Sequence, residues 1–173
     1  MCKIFLILCI LLSASCVRRD ESKDFPLTLE KIDYTGKELK TDGYYYRNFN
    51  SGSEPFIGTC FFYRNGIFLN GTVFSVYDTI EKEENFRNGF YVTIVASKYK
   101  DLWGVFQIDG NQIKYEHWIP TEGGFYRTTS QKGTILNDTT FIINFDNGLE
   151  VTDWTYHFKQ FSPKPDSTNR FIP

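Results

Sequence analysis

The stretch that decides the fold runs Leu102-Trp103-Gly104-Val105-Phe106-Gln107-Ile108-Asp109-Gly110-Asn111-Gln112-Ile113-Lys114-Tyr115-Glu116-His117-Trp118-Ile119. Two runs rich in aromatic and β-branched residues flank Asp109-Gly110, a dipeptide that accepts the positive φ of a type I′ turn and so suits the twist of paired strands. The segment therefore reads as an antiparallel hairpin. Side chains alternate across a strand, so Ile113, Tyr115, His117 and Ile119 share one face and Lys114, Glu116 and Trp118 the other; the first set is expected to point inward.

The same grammar extends in both directions. Further strands are expected near Tyr44 to Phe49, Phe56 to Tyr63, Ile67 to Tyr77, Phe90 to Ser97, Phe125 to Leu136, Thr139 to Phe145 and Trp154 to Phe161, with more turns at Asn65-Gly66 and Asn147-Gly148. One segment, Thr79 to Phe86, reads as helical, with Asp78 as its cap and Gly89 as its stop, and serves either as a lid or as a plain loop. The tail beyond Ser162 carries Pro163, Pro165 and Pro173 and reads as irregular. Eight or nine sequential strands joined by short turns form a meander, and closing such a sheet removes its exposed edges. The expected fold is all-β: one antiparallel up-and-down barrel of about eight strands with at most one short helix.

Four phrases carry a resemblance: Gly43-Tyr44-Tyr45-Tyr46, Phe62-Tyr63-Arg64-Asn65-Gly66, Trp103 to Ile113, and Gly133-Thr134-Ile135-Leu136-Asn137-Asp138-Thr139-Thr140-Phe141. Together they resemble lipocalin-like lipoproteins of gut-type Gram-negative bacteria over most of residues 43–161. The resemblance implies a barrel whose mouth holds an apolar molecule.

Ahead of this region, Met1 to Cys16 reads MCKIFLILCILLSASC: one lysine, an apolar run from Ile4 to Leu12, then Ser13, Ala14 and Ser15. That order matches a secretory signal. As a helix the run spans about 14 Å, against about 30 Å of bilayer hydrocarbon, too short to remain as a membrane span. Leu12-Ser13-Ala14-Ser15-Cys16 resembles a relaxed lipobox, which implies cleavage before Cys16 and lipidation of that cysteine. Val17 to Asp24 is charged and without an apolar period, so it reads as a solvated tether. It resembles a surface-export signal as much as a plain periplasmic spacer. The expected organisation is a signal peptide at 1–15, lipidated cysteine and tether at 16–42, barrel at 43–161 and irregular tail at 162–173, on a chain anchored to the bacterial outer membrane and facing either the periplasm or the cell surface.

Charge narrows the partners. Nineteen basic residues stand against 21 acidic ones, a net of −2, which becomes −3 once a leader carrying Lys3 and no acid is removed. Nothing in that balance attracts nucleic acid. Cys2 and Cys9 leave with the leader, so Cys60 has no partner for an intramolecular disulfide, and its neighbours Phe56 and Phe62 mark it as a packed thiol. Zinc-type Cys/His spacing is absent, and neither a metal nor another cofactor is expected. Asn70-Gly71-Thr72 and Asn137-Asp138-Thr139 match an N-glycosylation pattern, but at turns in a bacterial chain they read as turn chemistry. Asp78-Thr79-Ile80 resembles a bacterial O-glycosylation acceptor.

Aromatic residues make up 18% of the chain, which suits ligand binding and core filling alike. The candidate ligand-binding set is Tyr44, Tyr46, Phe62, Trp103, Tyr115, His117, Arg127, Trp154 and Tyr156. The tyrosines are expected to line a polar-rimmed pocket. Inside a barrel, His117 would donate to a ligand carboxylate or act as an acid or base; its ordinary reading is a histidine satisfied within the core. Arg127 would suit a carboxylate or phosphate if it faces the cavity, and reaches water if it lies at the strand end. On the last strand Trp154, Tyr156 and Phe158 alternate with Thr155, His157 and Lys159, so His157 reads as an outer residue.

Three functions fit these residues: a lipid-anchored barrel binding a small apolar or amphipathic molecule, an envelope interaction or inhibitor protein acting through its surface, and an enzyme using His117 with Cys60 or a carboxylate. The third is the least supported, because no nucleophile signature accompanies it. In a Gram-negative host the chain is expected to incorporate an alkyne-tagged palmitate, and Cys16→Ala to lose both the label and membrane attachment; label retained by the variant would refute lipidation at Cys16.

Overall fold

The computed structural model describes residues 21–146 and 151–173. The expected leader, Cys16 and the Asn147-Gly148 turn lie outside the described residues. Eight strands, β1 (Gly43–Ser51), β2 (Glu54–Phe62), β3 (Ile67–Ser75), β4 (Trp103–Asp109), β5 (Gln112–Pro120), β6 (Tyr126–Asn137), β7 (Thr140–Asp146) and β8 (Val151–Gln160), form a closed antiparallel barrel in which each pairs with its sequence neighbours. The β4–β5 hairpin is in the expected register, with Asp109 opposite Gln112 and Phe106 opposite Tyr115. Gly66 and Gly110 take φ of +76° and +58° at their turns, values that a side chain would strain.

Alternation sorts the wall into two cores. Inside the barrel, Tyr45, Phe62, Phe68, Phe106, Ile113, Tyr115, Phe141, Ile143 and Tyr156 pack together. Outside it, Tyr44, Phe61, Ile67, Leu69, Trp103, Val105 and Trp118 form a second buried cluster, covered by segments that are not strands. One cover is the connection between β3 and β4. Its helix α1 (Thr79–Arg87) presses Phe86 against the outward rings of Phe61, at 5.1 Å, and Tyr44, at 6.3 Å. Glu83 fixes the helix, accepting from the Tyr44 hydroxyl at 2.6 Å and from Lys159 Nζ at 2.5 Å. The helix therefore lies along the barrel wall.

Phe90 to Ser97, expected as a strand, is instead a π-helical turn over Tyr91–Ala96. Tertiary contacts override its β-branched composition. Gly89, at φ +75°, turns the chain after α1, Tyr91 donates its hydroxyl to the Asn70 carbonyl, and Trp103 donates its indole N–H to the Ala96 carbonyl at 2.8 Å.

The stretch expected to tether the barrel also differs. Residues 24–42 are bound to it as an irregular strap. The Glu116 carboxylate, buried on the outward face of β5, accepts from the backbone N–H groups of Thr28 and Leu29 at 2.7 and 2.6 Å and from the Thr28 hydroxyl. Trp118 donates to the Phe25 carbonyl, and Tyr34 N–H bonds to the Arg64 carbonyl. The strap ends by inserting Tyr34 and Leu39 into the interior core at the end where β1 starts. The tail is irregular as expected yet docked: Lys164 donates to the Thr41 and Phe62 carbonyls, and Ile172 is buried.

Hydrogen bonds to a charged acceptor each contribute about 1.5–3 kcal/mol. Glu116→Gln is expected to lower unfolding stability by about 1–3 kcal/mol and to speed amide exchange at Thr28 and Leu29; an unchanged denaturant midpoint would show that the carboxylate does not hold the strap.

Candidate functional site

The barrel is packed in one half and open in the other. At the end where β1 begins, Tyr45, Phe62, Phe106 and Phe141 meet edge to face, with centroids 4.9–5.7 Å apart. Towards the far ends of β1, β3 and β5 a cavity of about 230 Å³ remains. At about 30 Å³ per water this is room for roughly eight water-sized groups.

Its floor is made by Tyr115, Tyr156 and Phe68, with Tyr115 and Phe68 stacked at 4.5 Å. The Tyr115 hydroxyl donates to the Gln131 side-chain carbonyl, and the Tyr156 hydroxyl interacts with both Tyr115 and Arg47. Burial pushes the ionisation of both phenols up, so each stays a neutral hydrogen-bonding group. Cys60 lines the same space; burial pushes its thiol far above the usual range, so no thiolate is available at neutral pH.

Of the sequence candidates, Tyr115, His117, Trp154 and Tyr156 come together around this cavity. Phe62 lies beneath it in the packed half. Tyr44 and Tyr46 differ from the expected orientation. Tyr45 points inward, so its neighbours point outward, Tyr44 to Glu83 and Tyr46 to a ring contact with His157. Trp103 likewise faces the outer core. Arg127 is exposed on β6 opposite Ile119, four residues before Gln131, and does not line the cavity. Asn70 lines the cavity, whereas Asn137 accepts from the N–H and hydroxyl of Thr139, which is turn chemistry.

Arg47 is the contributor that sequence reasoning missed. It follows Tyr45 by two on β1 and so shares its inward face, opposite Gly58, where an added Cβ would sit 3.6 Å from the guanidinium Nε. The guanidinium lies between the rings of Phe49, at 4.4 Å, and Trp154, at 4.0 Å. The signal was present in Tyr45-Arg47-Phe49, but only for a reader who had chosen the right parity.

His117 is held by backbone. Its Nδ1 lies 3.0 Å from the Trp118 carbonyl, and the ring also meets the Asp101 backbone. Burial, the largest influence, keeps its pKa below the ordinary 6.5 despite these bonds. The folded state therefore binds fewer protons than the unfolded one just below pH 6.5, and stability falls as pH drops through the folded-state pKa. Denaturant unfolding between pH 8 and about 5 should show this loss, and His117→Gln should flatten that part of the profile; an unchanged profile would show that His117 is not its source. Comparison with protein-family models, curated proteins and solved structures finds no match, so function is read from this geometry.

Proposed function

We propose that the chain is a lipid-anchored envelope lipoprotein, held to the outer membrane through Cys16, whose lipocalin-like barrel takes up a small amphipathic molecule. The observation that carries this reading is the division of the barrel interior. A barrel kept only as a scaffold gains by filling both halves, since each buried side chain adds favourable contacts. Here aromatic side chains fill one half, while the other keeps a cavity bordered by both rings and hydrogen-bonding groups, the composition usual for small-molecule sites. The lipocalin-like resemblance of residues 43–161 points the same way.

A second reading, a partner-binding envelope protein, draws on the β3–β4 connection. Tyr77 and Ile80 are 79% and 86% exposed there, and Phe90, Ile94 and Tyr99 are also exposed. Exposed apolar side chains gathered in one segment suit a protein contact.

Native mass spectrometry of the whole chain, purified from a Gram-negative envelope, separates the two. A reproducible non-covalent mass that is lost on denaturation, and absent from a Cys60→Trp variant whose ring occupies the cavity, is expected for the binding barrel. A bare mass from wild type in every preparation would overturn it and leave the partner reading.

A further inference from the structure

The pairing of β1 with β8 stops early. It runs from Gly43 opposite Gln160 to Tyr46 opposite His157, although β1 continues to Ser51 and β8 begins at Val151. Beside this seam lies a second depression, and Arg47 and Trp154 border both spaces. Among the described residues Arg47 has no carboxylate within ion-pair distance. Asp153, which borders the outer depression, has a carboxylate oxygen accepting from Asn144 Nδ2 at 2.7 Å.

A half-buried guanidinium without a counter-ion is costly unless stacking and hydrogen bonds hold it or a ligand supplies the charge. The rings of Phe49 and Trp154 fix its plane, and a fixed planar fork matches a carboxylate bidentately. We propose that Arg47, at the unpaired seam between β1 and β8, binds the carboxylate of a small amphipathic acid whose apolar part lies in the cavity over Phe68 and Tyr115. This rests on the binding-barrel reading and specifies its ligand class. Arg47 is the one permanently charged side chain among the described residues lining the cavity, and His117 is held neutral, so a single negative charge is the complement. A phosphate dianion would leave one charge unmatched. The acid passes between β1 and β8 beyond Tyr46 and His157, where their ladder ends among the described residues.

The test compares hexanoate with hexanol, which share a chain that fits the cavity and differ in charge. Calorimetric titration uses the whole chain, in lipid nanodiscs with empty nanodiscs as the blank if it is lipidated, and in buffer if it is not. Hexanoate should bind at least about tenfold tighter than hexanol, the step expected from one charge-assisted pair. Arg47→Gln should bring hexanoate to the level of hexanol. Arg47→Lys keeps the charge and should keep hexanoate ahead, which separates lost charge from lost stacking. Equal binding of the two probes to wild type, or discrimination unchanged in R47Q, overturns the carboxylate site and leaves the cavity reading standing. Absence of binding by both probes overturns the carboxylate site, and a bare native mass then removes the cavity reading as well.

Discussion

Tyr45, Phe62, Phe106 and Phe141 converge in one half of the barrel, and the remaining architecture is arranged around them. Eight strands enclose an interior just wide enough for side chains or one small ligand. Four large rings meeting edge to face exhaust that width, so this half is solid and defines where the cavity begins. The plug also needs a stopper, because rings at an open barrel end would meet water. Tyr34 and Leu39 of the strap supply it, with Tyr34 packed on Phe106 at 5.7 Å. Glu116 keeps the strap in place from the outer wall, so one carboxylate on β5 supports both the outer cover and the inner seal.

The barrel class and the registers around Asp109-Gly110 were legible because a two-residue turn and strict alternation are local properties. The inward set Ile113, Tyr115 and His117 followed from the same alternation, as did Trp154, Tyr156 and Phe158. Alternation failed where both faces of the wall are buried. Tyr44-Tyr45-Tyr46 and Cys60-Phe61-Phe62 read as continuous apolar runs, as strands covered on both sides do. Nothing within them tells which parity faces in; the deciding facts are Glu83 and Phe86, 39 and 42 residues away in sequence, waiting outside for Tyr44.

The outer covers were the least legible part. The strap contributes Leu27, Leu29, Tyr34 and Leu39 at no regular period, and its backbone bonds go to side chains, loops and one strand end, the Tyr126 carbonyl, without forming a ladder. Such a segment has the composition of a tether and the contacts of a core element. Tyr91 to Ala96 has the composition of a strand, yet it does not extend the short β3–β4 pairing, which ends at Leu69 opposite Trp103, and it buries Tyr91 and Ala96 by coiling. Composition reports what a segment can bury, and the neighbours decide in which shape.

The unpaired seam brings these constraints together. An open strand edge invites pairing with other chains, and proteins blunt such edges with charge and polarity. Beyond Tyr46, β1 reads Arg47-Asn48-Phe49-Asn50-Ser51, and the facing part of β8 carries Thr152, Asp153 and Thr155. Polar side chains thus alternate with Phe49 and Trp154 where the edges part, and the edges join around the packed pair Tyr45 and Phe158. β1 is not lost there because its other edge stays paired with β2 as far as Ser51 opposite Glu54. Stacked between Phe49 and Trp154, Arg47 closes in side chains a gap that the backbone leaves open. A closure made of stacked rings and one guanidinium rearranges by rotamer changes, whereas a closure made of ladder bonds would have to break them.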